Sequence, residues 1–391
     1  MASSINASTS GGGGIITTAD ATGNLDIQSG GSTVVAVTSA GVAVTGSLNT
    51  PNTFGFKNRI INGGMVIDQR NAGASVSSTG YVTDRFAFDR GVSAATVTGQ
   101  QSSTVPSSGF TKSLVLTVGT GAATAAGDYS IFRQAIEGYN VADFGLGTAS
   151  AQTFTLSFWV RSSLTGTFGV AFNNGAANRY YVGSYAISVA NTWEQKTVTV
   201  AGDTSGTWLT TNGAGMQVYW DIGVGTTYSA AAGAWGTGSN IYGLTGGVKL
   251  LANTGATLYI TGVQLEKGST ATSFDFRDYT SELAMCQRYY QTIGYGFATL
   301  PVIVAGYSGT TSSVGQIKHI VSMRAAPTFS VTGSIEGLDN SLGPVAVTAT
   351  LSTASAEVTR LSLSHAALTG NAAREYRTVT TTSSVNLTAE L

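Results

Sequence analysis

Apolar residues along this chain recur at a spacing of two, the period of a half-buried strand. In residues 153–160, TFTLSFWV, Phe154, Leu156, Phe158 and Val160 share one face while Thr155, Ser157 and Trp159 share the other. KSLVLTV repeats the pattern with Leu114, Leu116 and Val118, and MQVYWDI with Met216, Val218, Trp220 and Ile222. TLYITGVQL places Leu258 and Ile260 opposite Tyr259, Thr261 and Val263. Glycine-rich turns separate these runs, and no long helical period intervenes as a βαβ unit would require. The pattern predicts an all-β chain whose main body is an antiparallel sandwich, with a jelly roll as its topology.

One stretch, DYTSELAMCQRYYQ, predicts a helix over 278–291, capped by Asp278 or Thr280, with Leu283, Cys286 and Tyr290 on one face. After it, PVIVAGY, VGQIKHIVSM, TFSVTGSI, GPVAVTATL, VTRLSLS and REYRTVTTTSSVNLTAEL read as strands again. The expected organisation is therefore an arm over 1–53, a jelly roll over 54–277, a linking helix over 278–291 and a smaller β domain over 292–391. The arm is low in complexity, with a glycine run at 11–14 and three short strand-period pairs: Leu25 and Ile27, Val35 and Val37, Val42 and Val44. Strands this short bury no face alone, so the arm reads as an intertwined stalk of identical copies. A plain Gly/Ser linker is its alternative.

Composition sharpens this picture mainly by exclusion. Charged residues are 10% of the 391, against about 25% in an ordinary soluble domain. Nineteen basic and twenty acidic residues leave a net charge of -1, which gives no footprint for nucleic acid or an anionic membrane. No stretch approaches the roughly 20 apolar residues of a membrane span, so no membrane insertion is expected. The first twenty residues lack the basic and apolar regions of a secretory signal. One cysteine, Cys286, and two histidines, His319 and His365, exclude a Cys/His metal cluster within one chain. Cys286 reads as a small buried hydrophobe. Neither cofactor nor metal is expected. Asp203, Asp221 and Glu266 are the acids that a structural calcium would use, and each reads first as a turn or hydrogen-bonding residue.

Several stretches together resemble the tail fibre and receptor-binding proteins of bacteriophages and prophages that carry a carbohydrate-binding-like jelly roll. They are NRIINGGMVIDQRN (58–71), TFTLSFWVRSS (153–163), TWEQKTVTVAGDTSGTW (192–208), VYWDIGVGTTY (218–228), ITGVQLEKGSTATSF (260–274) and ELAMCQRYYQ (282–291). The resemblance runs from Asn58 to Gln291, 234 of 391 residues. It implies a homotrimeric virion protein, made in the host cytoplasm, that joins other virion proteins through its arm and binds a host surface glycan. A tail fibre is the position it favours. A capsid-attached fibre, decoration protein or tail adaptor with a purely structural role is the alternative.

Sugars are bound from water by stacking a pyranose face on an aromatic ring while amides and charged groups take the hydroxyls. The candidates on that chemistry are Tyr180, Tyr181, Tyr185, Trp193, Trp208, Tyr228 and Trp235, with Asn173, Asn174, Asn178 and Arg179 in the loop FNNGAANRYY. Trp220, in the apolar phase of its strand, reads as core. Catalysis is not expected. Asp275 and Asp278 are the only close acids near aromatic residues, and they read as a partner for Arg277 and a helix cap. His319 and His365 lie in strand-like text with no GxSxG elbow.

Overall fold

The computed structural model describes residues 25–29, 32–38, 41–44, 57–77, 79–91, 94–106, 109–294, 301–308, 311–339, 343–365, 375–380 and 382–391. The chain divides into two compact units, Met1–Thr53 and Phe54–Leu391. In the first, β1 (Leu25–Ser29), β2 (Ser32–Thr38) and β3 (Gly41–Val44) form an antiparallel three-stranded meander. The three strand-period pairs thus fall on three strands, paired here with one another. The glycine run at 11–14 lies outside the described residues.

The second unit opens with β4 (Gly80–Thr83), β5 (Phe86–Gly91), β6 (Val97–Ser102), β7 (Ser113–Val118), β8 (Tyr129–Glu137) and β9 (Phe154–Ser162). Next come β10 (Gly166–Asn174), β11 (Arg179–Ile187), β12 (Glu194–Val200) and β13 (Ala214–Asp221). Two short strands, β14 (Ser229–Ala230) and β16 (Gly243–Leu244), pair in parallel around β15 (Trp235–Thr237), and β17 (Thr257–Lys267) completes the set. A seven-stranded sheet of order β15-β11-β10-β13-β8-β5-β4 faces a five-stranded one of order β12-β9-β17-β7-β6, giving the all-β jelly-roll sandwich.

Alternation explains the core. Phe154, Leu156, Phe158 and Val160 of β9 and Met216, Val218 and Trp220 of β13 are all fully buried. Their rings meet across the two layers, Phe158 on Trp220 at 5.8 Å and Phe154 on Phe172 at 5.2 Å. The predicted phase fails in β17. Val263 is buried in the core rather than sharing the outer face with Tyr259 and Thr261, because the register shifts between Thr261 and Gln264. Gly262 sits at φ 61° in this bulge, where an added Cβ would lie 2.6 Å from the Phe110 ring. The bulge then receives the chain's earlier turn: Val263 N–H donates to the Gly63 carbonyl at 3.0 Å, an approach that any Cβ on Gly63 would block.

The motif at 58–71 builds this junction. Asn58 Oδ1 accepts from the backbone N–H of Ile60 and Leu265, and its Nδ2 donates to the Val263 carbonyl at 3.0 Å. Asn62 does the same work locally, bridging Ile67 and the Asp84 carbonyl. Both amides are buried and use their donor and acceptor, as buried polar groups must.

The helix α1 (Tyr279–Gln287) is capped by Asp278, which accepts from Ser281 N–H at 3.0 Å. It is shorter than expected. Tyr290 belongs to β18 (Tyr290–Ile293), since the chain leaves the helix at Arg288 to enter a sheet. Cys286 is fully buried, and burial pushes its thiol well up. Then follow β19 (Pro301–Ser308), β20 (Ser312–Lys318), β21 (Thr328–Thr332), β22 (Ile335–Asp339), β23 (Gly343–Ala354), β24 (Val358–His365), β25 (Glu375–Thr378) and β26 (Ser384–Thr388). Six of these close into a barrel of order β19-β20-β24-β23-β22-β25, while β18, β26 and β21 form a small sheet beside it.

That small sheet is fastened to the sandwich by charge. Arg288 makes a two-point ion pair with Glu137, at 2.6 and 3.0 Å, and Tyr289 O–H donates to the same carboxylate. Glu390 pairs with both Arg70, at 3.0 Å, and the fully buried Arg85. Arg85 also lies over the Tyr289 ring, its guanidinium carbon 3.5 Å from the centroid. Among the described residues no helix is long and apolar enough to cross a membrane.

Candidate functional site

The outward phase of the seven-stranded sheet carries a group of polar and aromatic side chains. In β8 the core side takes Phe132, so Tyr129, Ile131 and Arg133 point the other way. In β13 the core side takes Val218 and Trp220, which leaves Gln217 and Tyr219 outward. Register sets Tyr219 beside Arg133, and Ile131 beside Asp89 of β5. The loop between β15 and β16 brings Asn240 and Tyr242 over this surface. The result is a cleft of about 440 Å³ lined by these residues with Thr79, Arg90 and Ala177. It falls in the size range of small-molecule sites, roughly 300–1,000 Å³.

Aromatic rings dominate the cleft's rim. Tyr242 packs on Tyr219 at 4.9 Å and on Tyr129 at 5.4 Å, and Tyr228 meets Tyr129 edge-on at 5.4 Å. Tyr242 O–H donates to Asn240 Oδ1 at 2.8 Å. Burial, and then the neighbouring Tyr129 and Tyr228, push the Tyr242 hydroxyl up to about 12, so it stays protonated at any physiological pH. Arg133 is held against Asp89 by a direct hydrogen-bonded ion pair. Burial works against the Arg133 charge, and the Asp89 carboxylate more than offsets it, so its pKa is raised.

Only Tyr228 among the sequence candidates belongs to this ring group. Tyr180 lies in the same outer cluster, half-buried, packed against Gly236. The neighbouring Tyr181 takes the opposite phase and packs with Trp235, at 5.4 Å, against the core. Tyr185 is buried with its ring against Phe158 at 5.0 Å, and Trp208 is buried against Trp235 at 5.5 Å. Strand alternation turns Tyr185 into the space between the sheets and packing on Trp235 buries Trp208, which corrects the expectation of an open ring for both. Asn173 and Asn174 are also fully buried rather than in an open loop. Asn174 locks the turn, accepting from the N–H of Asn178 and Arg179 and donating to Asn178 Oδ1 at 2.7 Å. Neither amide atom of Asn173 has a hydrogen-bond partner. Arg179 is spent on a two-point pair with Asp203, at 2.6 and 2.8 Å. Trp193 stands apart on the other sheet, half-exposed, 6.2 Å from Tyr259, whose ring also carries Arg161.

The acids weighed for calcium are engaged by protein donors: Asp203 by Arg179, Glu266 by Gln264 and Thr272, Asp221 by Lys249 at 2.8 Å and by two backbone N–H groups. Among the described residues no three His, Cys, Asp or Glu are grouped to hold a metal ion. His365 Nε2 lies 2.9 Å from Ser313 Oγ inside the barrel, on the inward phase of β24. His319 bridges the Ala356 carbonyl and Thr359 Oγ1 at its own buried turn. Asp275 lies 3.9 Å from Arg277, and Asp278 caps the helix.

Burial pushes the Asp221 carboxyl up to about 6, against the pull of Lys249. Its folded value lies above the unfolded one, so between roughly pH 4 and 6 the native state holds the extra proton and stability falls as pH rises through that window. Asp221→Asn is expected to remove this component. Urea midpoints compared at about pH 4.5, 5.5 and 7 should show a flatter profile for the variant, and parallel profiles would contradict the assignment.

No protein-family model matches the chain, and no curated protein sequence matches it. Among solved structures, the enzymatically active domain of tailspike protein 4 from bacteriophage CBA120 is similar at 17% identity over 54% of this chain and 21% of that one, with a TM-score of 0.30. The aligned stretch is thus about a fifth of that tailspike chain. The family 11 carbohydrate-binding module of Clostridium thermocellum, solved with a β-1,3-1,4-mixed-linked tetrasaccharide, shares 11% identity over 48% and 91% of the two chains, with a TM-score of 0.27. The N-terminal cellulose-binding domain of Cellulomonas fimi β-1,4-glucanase C shares 18% over 44% and 90%, with a TM-score of 0.25. Similarity at this level carries nothing about the ligand, and the cleft is read from its own residues.

Proposed function

We propose that this protein binds a glycan in the cleft on the outer face of the seven-stranded sheet, and that it does so as a non-catalytic attachment protein of a bacteriophage virion. The observation that carries the first part is the set of mutually packed tyrosines, Tyr129, Tyr228 and Tyr242, beside the Asp89–Arg133 pair. Rings offer a sugar's apolar face a surface to stack on. Gln217, Asn240 and the paired charges then offer directed donors and acceptors to its hydroxyls. The virion role, the tail-fibre position and the homotrimer rest on the family resemblance of residues 58–291.

A single shallow sugar site binds near the millimolar end, about -4 kcal/mol, because stacking is offset by desolvation of hydroxyls. Three linked copies raise avidity by roughly 10²- to 10⁴-fold where the geometry permits simultaneous contact. Tyr242→Ala is expected to weaken binding of the full chain to its best glycan on an array about tenfold in a chain that stays folded, its melting temperature lowered by the lost ring contacts. Retained affinity in that variant would move the site elsewhere, with the Trp193–Tyr259 pair next in line. Light scattering of the full chain tests the trimer, and a monomer at micromolar concentration overturns it.

A further inference from the structure

The outward phase brings two charges to the cleft, and they cancel. Register sets Asp89 beside Ile131 and Ala87 beside Arg133, so Asp89 and Arg133 project from neighbouring strands on the same face as Tyr219. Arg90, the next residue of β5, takes the core phase with Phe86 and Phe88, and it donates to the carbonyl of Ala95, a core residue, at 2.7 Å. Its charge belongs to the other side of the sheet. The Asp89–Arg133 pair is a one-point contact, from Arg133 Nε to Asp89 Oδ2. Among the described residues neither Nη of Arg133 nor Oδ1 of Asp89 meets a hydrogen-bond partner, and all three atoms reach solvent. With side chains 20% and 31% exposed, the pair thus keeps spare donors beside a spare acceptor at the cleft wall.

We propose that the glycan held in this cleft is uncharged and that it meets the Asp89–Arg133 pair through a vicinal diol. The proposal rests on the glycan-binding reading above and adds the ligand's chemical class. A hydroxyl both donates and accepts. One hydroxyl of the diol donates to Asp89 Oδ1 while its neighbour accepts from an Arg133 Nη, so adjacent oxygens match adjacent groups of the pair. Hydrogen bonds to ionised groups are stronger than neutral ones, which makes the pair the directional anchor for a ring stacked on the tyrosines. A charge on the ligand finds no such match. A uronate takes Arg133 only at the expense of Asp89, and an amino sugar takes Asp89 only at the expense of Arg133, each leaving one charge uncompensated in a partly buried site.

The test is calorimetric titration of the full chain with hexasaccharides of glucose and of galactose, each in neutral, uronate-bearing and O-methylated forms. Methylation at one hydroxyl of each diol blocks the diol while keeping ring and charge. The neutral form is expected to bind about tenfold tighter than either modified form, a difference of about 1.4 kcal/mol, and to change little as salt rises. That comparison needs no variant. D89N and R133Q, checked by circular dichroism and melt, are each expected to weaken the neutral form about tenfold, so that it binds no better than the methylated one. Uronate binding as tight as neutral binding overturns the uncharged class, and equal binding of the methylated form overturns the diol. A discrimination that survives in folded D89N takes the diol away from the pair and likewise overturns the proposal. Each of these leaves glycan binding standing. Failure of every hexasaccharide to bind brings down the glycan-binding reading itself.

Discussion

Glu390→Ala is expected to lower folding stability by about 3–5 kcal/mol, read as a drop in the urea midpoint. Glu390 is the shared partner of Arg70 and Arg85, and Arg85 is 2% exposed beneath Tyr289. Removing the carboxylate leaves a buried guanidinium that, among the described residues, meets the Ala135 carbonyl and the Tyr289 ring. An uncompensated buried charge is among the costliest single lesions, whereas an exposed ion pair contributes about 0–1 kcal/mol. Glu390→Gln keeps the hydrogen-bonding shape without the charge and should fall between the two. A loss below about 1 kcal/mol for the alanine variant would mean that the small β18-β26-β21 sheet is held by its apolar contacts instead.

Trp220→Ala is the second large effect, at about 3–5 kcal/mol. The indole is fully buried and meets Phe86, Phe132 and Phe158 within 6.4 Å, so its loss opens a cavity between the two sheets that the stiff aromatic neighbours fill poorly. Trp159→Ala serves as the matched control. That residue takes the outward phase of β9 and is only part-buried, so its removal should cost about 1 kcal/mol. Equal losses for the two tryptophans would contradict the assignment of faces.

The same period of two that separates these tryptophans made most of the sandwich legible. In β9 and β13 the alternation picks out the side chains that fill the space between the sheets, while Thr155, Ser157, Tyr219 and Asp221 of the other phase are buried as well. It fails in β17 because the bulge at Gly262 packs against the turn at Gly63, some 200 residues earlier, a contact no local pattern contains. The helix was overextended for a related reason: Tyr290 continues the apolar face of α1 in sequence, yet it is claimed by pairing with Thr388 at the far end of the chain. For the site, the alternation that marks Trp220 as core also marks Tyr219 and Gln217 as outward, so two cleft residues were within reach of the pattern. Tyr129 and Arg133 follow from the same argument applied to β8. What the sequence does not contain is their meeting with Asp89 and Tyr242, because six separate stretches supply the cleft. The loop FNNGAANRYY carries residue types suited to sugar binding, but tertiary packing turns most of its side chains to structural ends.

The amide of Asn58 ties the entry of the sandwich to its last long strand, that of Asn62 ties the same turn to Ile67 and Asp84, and neither residue lines the tyrosine cleft. The two amides thus serve the frame and not the cleft, and a change at either is a matter of folding.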